Sequence, residues 1–308
     1  LALGKYLAAD GVAHRHRILA LQREAYPPAL LLARQAGMTL LRAPDEATAR
    51  AEIAAADVVV LHYWQTPVLH DWLRRAWPPM RLLVWLKIAG RHAPQVLTPA
   101  LLAYADATVA TTPVTGALPV AHAAAGDAGL AVVPGIADAD RLRDIAPRPH
   151  AGFAVGYIGT LNATKMHPRF VAMSAAIRVP DLRVVVCGAG NPTALRAEAE
   201  RLGAAGRFEW RGYVEAIGPV LAALDVFGYP LCADTYATSE KSLQEAMLAG
   251  VPPVVFPHGG VAHLVRDGDT GLVVHDEAGY RDAIERLHRD PAQRARLGHA
   301  AREHARAA

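Results

Sequence analysis

Thr238, Ser239, Glu240 and Ser242 crowd the start of an apolar-periodic run, Leu243, Ala246, Met247 and Ala249, that Gly250 stops. The pattern predicts a helix with a polar N-terminus. The first turn of such a helix presents free backbone N–H groups and the positive end of the helix dipole, which suits phosphate. Glu245 stands one turn further in, where a carboxylate can hold a pair of sugar hydroxyls. The chemistry these residues suit is therefore the binding of a phosphate joined to a sugar. A plain βαβ crossover, with Thr238, Ser239 and Glu240 as a helix cap box, gives the same pattern without a ligand.

Lysine usage adds a second signal. Only four lysines (Lys5, Lys87, Lys165 and Lys241) stand among 32 cationic residues, so arginine serves wherever charge alone suffices. A retained lysine suggests a need for a compact, mobile ammonium. Lys165 ends the loop GTLNATK, Lys241 lies in the polar segment just described, and Lys87 ends the apolar run RLLVWLK.

Composition bounds the rest. A chain of 308 residues can form two domains with sizeable cores. It is 52% hydrophobic but only 6% aromatic, so Ala, Leu and Val must build those cores. Net charge is +3, and no basic run carries interleaved aromatics, which argues against nucleic-acid binding. Cys187 and Cys232 suggest neither a disulfide framework nor a zinc site. The fourteen histidines lack the spacing of a metal pair, so neither a metal nor another cofactor is expected. No apolar run reaches membrane-spanning length and no signal peptide is visible. A cytoplasmic location follows as the expectation, with peripheral membrane contact open to an Arg-bearing face. The chain begins at Leu1, and a first β-strand is expected ahead of it.

These residues need elements to position them. Apolar runs such as DVVVLHYW, RLLVWLKIAG, AVGYIGTL, LRVVVCGAG and PPVVFP alternate with amphipathic segments along both halves. That alternation predicts parallel sheets covered by helices on both faces. Proline, glycine and charge interrupt the pattern in IAPRPHAGF, near Pro147. The expected organisation is α/β: two doubly wound, Rossmann-like domains, 1–147 and 148–291, facing a cleft at the carboxyl ends of the strands, followed by a helix over 292–308.

The second half resembles the family-4 (group 1) retaining glycosyltransferases of GT-B fold. The segments that carry the likeness are GTLNATK, CGAGNP, RGYVE, DVFGYP, SEKSLQEAMLAGVPPVVFPHGG and the hairpin RDGDTG. The resemblance implies a nucleoside-diphosphate sugar as donor. Gly159, Thr160, Gly188, Gly212, Tyr213, Thr238, Ser239, Lys241, Ser242 and Glu245 would then line the donor site, with Lys165 on the diphosphate, Glu245 on the ribose and Glu240 near the sugar. Three departures stand out: Thr160 replaces a family Arg, Ala237 replaces the first Glu of a Glu-x7-Glu pair, and Lys87 stands where relatives place a His.

In the first half the likeness is thinner. GVAHRHRILALQ resembles the opening of the family's first helix, with Gly11 allowing close approach to the donor. His62 at the end of DVVVLHYW and Lys87 complete the expected reaction centre, and Trp64 and His92 the acceptor side. The terminal helix is expected to return to the first domain. The acceptor is left open between a sugar, a lipid-linked molecule and a small molecule. A nucleotide-sugar epimerase, a phosphorylase and a degenerate nucleotide-sugar-binding protein remain alternatives on the same fold.

Overall fold

The computed structural model describes residues 15–22, 31, 33–142 and 145–307. Gly11 lies outside them. The chain divides into two compact units, Leu1–Ile136 and Ala137–Ala308. The boundary precedes Pro147 because Ala137, Arg141 and Arg148 are tied into the second unit. The Ala137 N–H donates to the Gln244 side chain at 2.9 Å, the Arg141 guanidinium to the Glu215 carbonyl at 2.8 Å, and the Arg148 N–H to the Ala222 carbonyl at 2.7 Å.

In the first unit, β1 (Arg17–Ala20) pairs in parallel with β2 (Thr39–Arg42). The sequence reading placed a helix over 17–20. Instead Ile18 and its neighbours extend and meet β2, with the Thr39 N–H donating to the His16 carbonyl. Helix α1 (Glu46–Ala54) follows, capped by the Asp45 carboxylate. A second parallel set joins β3 (Val59–Tyr63), β4 (Leu82–Leu86) and β7 (Ala107–Ala110) in the order β3–β4–β7. Between these strands run α2 (Pro67–Leu73), a two-residue antiparallel ladder β5 (Arg91–His92) with β6 (Gln95–Val96), and α3 (Pro99–Tyr104). Each of these two helices starts at a Thr cap followed by Pro at its first position. Short helices α4 (Pro113–Gly116) and α5 (Pro119–Ala125) complete the unit. Residues 130–136 form no strand, only a bridge from Val132 to Ala110.

The second unit holds a six-stranded parallel sheet. Its strands are β8 (Phe153–Ile158), β9 (Leu182–Cys187), β10 (Phe208–Gly212), β11 (Val226–Tyr229), β12 (Pro253–Val255) and β13 (Leu272–Val273). Their spatial order is β10–β9–β8–β11–β12–β13. β8, β9, β11 and β12 are buried almost throughout, as expected of parallel strands covered on both faces. The covering helices are α6 (Phe170–Ala175), α7 (Thr193–Arg201), α8 (Gly218–Leu221), α9 (Lys241–Leu248), α10 (Glu277–Arg289) and α11 (Pro291–Ala307). The apolar residues of α9 recur at helical spacing, and Leu243, Ala246 and Met247 enter the core. Burial of each large side chain of this kind contributes about 1.5–3 kcal/mol.

Helix α11, expected to return to the first domain, packs within its own unit. Leu297 and Ala301 join the second unit's core, and the Arg302 guanidinium donates to the Ala249 carbonyl at the end of α9. No helix among the described residues is long and apolar enough to cross a membrane.

Candidate functional site

Strand order reverses between β8 and β11: β9 and β10 lie to one side, β12 and β13 to the other. Loops leaving the carboxyl ends of two such strands diverge and open a crevice, the usual ligand position in an open α/β sheet. The loop after β8 is GTLNATK, and the loop after β11 runs through Thr235 to Glu240 into α9. The two strongest sequence signals therefore meet at one switch point.

Lys165 is fixed through its backbone. Its N–H donates to the Asn162 carbonyl, and its own carbonyl accepts from the Cys232 N–H at 2.9 Å. Its ammonium lies 3.8 Å from a Glu240 carboxylate oxygen. That oxygen also accepts from the Tyr229 hydroxyl at 2.7 Å. Tyr229 is fully buried and Glu240 is 4% exposed. Burial and the nearby Glu240 carboxylate both push the Tyr229 phenol far above its ordinary range, so it remains a donor. Tyr157 stacks on Tyr229 at 5.5 Å between centroids and donates to the Thr160 carbonyl at 3.3 Å. Tyr229 and Tyr157 are two residues that sequence reasoning does not single out. Both sat in apolar runs and looked like ordinary core.

Glu240 occupies the N-cap of α9 in the left-handed conformation (φ 43°), and its side chain makes no cap hydrogen bond. Glu240 therefore contributes no side-chain cap. The Gln244 amide instead reaches back to the Ser239 carbonyl at 2.5 Å. Thr238 is buried, Ser239 and Ser242 are half-buried, and Lys241 is exposed at the helix start. A Cβ at Gly260 would stand 2.0 Å from the Thr238 carbonyl oxygen, so the Gly-Gly turn after β12 seats the loop from below.

Glu245 is half-buried one turn into α9. Burial raises its carboxyl pKa, while Arg141 and Lys241 pull it down and Asp138 pushes it up. Arg141 brings a guanidinium into this neighbourhood from residues 139–142, a cation that the sequence reading did not place here.

Three glycine loops meet at the other side of the switch. The Gly159 N–H donates to the Cys187 carbonyl, and the Gly188 N–H to the Gly212 carbonyl at 2.7 Å. Thr160 follows half-buried, and Tyr213 stands 60% exposed beyond Gly212. Cys187 and Cys232 are buried free thiols, and Cys232 is pushed up to about 11 by burial and Asp234.

The first unit gathers a separate set. His62 is exposed at the end of β3, its ring 5.3 Å from that of Trp85. Lys87, 9% exposed, places its ammonium 3.0 Å from the Trp85 ring centroid. The Trp85 indole N–H donates to the Val133 carbonyl, which fixes the ring. Trp64 is 46% exposed, and His92 is exposed on β5. No cluster of three or more His, Cys, Asp or Glu side chains able to hold a metal occurs among the described residues.

Comparison with known proteins shows what this arrangement is similar to. Residues 152–290 match the family described as Glycosyl transferases group 1. The D-inositol 3-phosphate glycosyltransferase of Stackebrandtia nassauensis is 35% identical over 168 residues, covering 50% of this chain and 37% of that protein. The protein of the same name from Actinosynnema mirum is 27% identical over 298 residues, covering 84% and 70%. The chain spans about two fifths of the length of the first curated relatives it matches, between 37% and 43%. Among solved structures, Anabaena HepE in complex with UDP and glucose superposes with a TM-score of 0.77 at 16% identity, over 99% of this chain and 89% of that one. WaaG, a glycosyltransferase involved in lipopolysaccharide biosynthesis, gives 0.71 at 16% identity, over 100% and 90%. Residues 152–290 are thus similar to the group 1 glycosyltransferases, and the chain has the GT-B fold of these solved structures.

Proposed function

We propose that the chain transfers a sugar from a nucleoside-diphosphate donor to an acceptor, with retention at the anomeric carbon and without a metal ion. The observation that carries this reading is the convergence of Lys165, the start of α9 and Glu245 on the switch point between β8 and β11. Glu245 would hold the ribose hydroxyls. Lys165, Lys241 and the N–H groups of the first turn of α9 would take the charge that develops on the leaving diphosphate. Gly159, Thr160, Gly188, Gly212, Thr238, Ser239 and Ser242 would shape the donor pocket, and Tyr213 would face the base. The HepE complexes with UDP and with UDP-glucose support a uridine nucleotide as the first donor to test.

His62 and Lys87 would serve the reacting sugar and Trp64 and His92 the acceptor, which the inositol-phosphate enzymes among the relatives suggest is polar and hydroxyl-rich. Thermal shifts with UDP, GDP, ADP and dTDP test the proposal, since a ligand stabilises according to its concentration over its dissociation constant. One base should stand out, and turnover of its sugar nucleotide should follow. A second reading, a nucleotide-sugar-binding protein without turnover, is favoured by Thr160 and by Ala237, which is 4% exposed where the family places a Glu. Binding with neither transfer nor donor hydrolysis would select it.

A further inference from the structure

Glu240 is set apart from every other acidic side chain of the site by its surroundings. Its side chain is 1% exposed, whereas that of Lys165 is 17% exposed. One carboxylate oxygen is shared between the Tyr229 hydroxyl at 2.7 Å and the Lys165 ammonium at 3.8 Å. Tyr229 cannot shift to follow a ligand, because Tyr157 and Phe227 stack on it at 5.5 and 5.1 Å. The backbone also holds Glu240 where a residue with a Cβ is strained, at φ 43°. The carboxylate is thus anchored from behind, and the partially exposed group of the pair is the ammonium.

We propose that Glu240 is a positioning residue that acts on the donor only through Lys165, tethering its ammonium by way of Tyr229, and is not a ligand of the transferred sugar. A buried carboxylate must be compensated, and Lys165 and Tyr229 supply that compensation. The tether in turn restricts a long, flexible side chain to one place beside the diphosphate position. The proposal rests on the nucleotide-sugar reading above and assigns a role within that site.

The test is calorimetric titration of the wild type, Glu240→Gln, Glu240→Gly, Tyr229→Phe and Lys165→Ala, and of the double variant Lys165→Ala/Glu240→Gln. UDP and UDP-glucose are the ligands, with GDP and ADP alongside. Glu240→Gly guards against misfolding, because glycine accepts the left-handed backbone without strain. Substitution at Glu240 releases the ammonium from its tether, and that effect reaches the diphosphate through Lys165. Both Glu240 variants should therefore change affinity for UDP and UDP-glucose by the same factor, about threefold or more, as expected for directly coupled neighbours. Tyr229→Phe should change both ligands equally as well. In the Lys165→Ala background the effect of Glu240→Gln should vanish. Unchanged UDP affinity with weakened UDP-glucose would make Glu240 a sugar ligand and overturn the proposal, as would an effect that persists without Lys165. Wild-type binding with all Glu240 variants unaltered sinks this proposal alone. Failure of the wild type to bind any nucleoside diphosphate removes the nucleotide reading beneath it.

Discussion

A Cβ built on Gly188 would stand 1.8 Å from the carbonyl oxygen of Gly159, so the loops after β8 and β9 touch backbone to backbone. Gly188 also has φ +154°, a conformation L side chains rarely adopt. Gly188→Ala must push these loops apart, and the displaced loop is the one that leads to Lys165. The variant should lose about 2 kcal/mol or more of folding stability, at the level of an overpacked core site. Its nucleotide affinity should fall along with it. An unchanged urea midpoint would show that the loops have room to separate.

Glu245 gives a pH dependence whose sign is fixed by its raised carboxyl pKa. The ordinary value is 4.5, and burial is the largest cause of the upward shift. The folded state thus holds the proton more tightly than the unfolded chain. Its contribution to stability is fully present below pH 4.5 and is lost as pH rises through the raised value. Nucleotide affinity runs the other way, because the ionised carboxylate is the better acceptor for two hydroxyls. Affinity should fall as pH drops through the same window, and Glu245→Gln should flatten that limb. At neutral pH the variant should bind nucleotide about 1.5–3 kcal/mol more weakly, the range for charged hydrogen bonds. It should be no less stable to urea. Wild-type affinity in the variant, measured by calorimetry, would take Glu245 out of the site.

The second unit was legible because its signals are local. The apolar runs AVGYIGTL, LRVVVCGAG and PPVVFP each became a strand of one parallel sheet, and α9 begins and ends where its polar start and Gly250 imply. The first unit was less so. Ile18 and Leu19 fit a helix or a strand equally well in a short run, and the pairing with β2 decided for the strand. What sequence could not show is which polar groups face each other. Tyr229 and Glu240 are eleven residues apart and meet only because the β11 loop folds back over its own strand. Arg141 lies over a hundred positions from Glu245, in a stretch assigned from the sequence to the first domain.

Chelation is expected to leave activity intact. Removal of divalent ions by EDTA should change the initial rate of donor turnover by less than about twofold, because Lys165, Lys241 and the α9 N-terminus are the groups assigned to the leaving charge. Loss of activity on chelation, restored by a divalent ion, would transfer that role to a metal.

Lys165 is the residue on which turnover should depend most. An ammonium beside the diphosphate helps the ground state, but it helps more as charge builds on the leaving group. Lys165→Ala should therefore depress kcat by about 10²-fold or more, the level for loss of one preorganised charge stabiliser, and should alter donor affinity by a smaller factor. Lys165→Arg restores the charge but carries it on a planar fork that fits the space beside Glu240 and Tyr229 differently, so it should recover only part of the rate. Thr160→Arg is the converse experiment. The Thr160 side chain stands half-buried in the same loop while its carbonyl accepts from Tyr157, so a longer side chain there leaves that hydrogen bond in place. It should tighten nucleoside diphosphate binding in the wild type and rescue part of the binding lost in Lys165→Ala. Normal turnover by Lys165→Ala with the true donor would mean that the leaving charge is neutralised elsewhere, with Arg141 and Lys241 the next cations to remove.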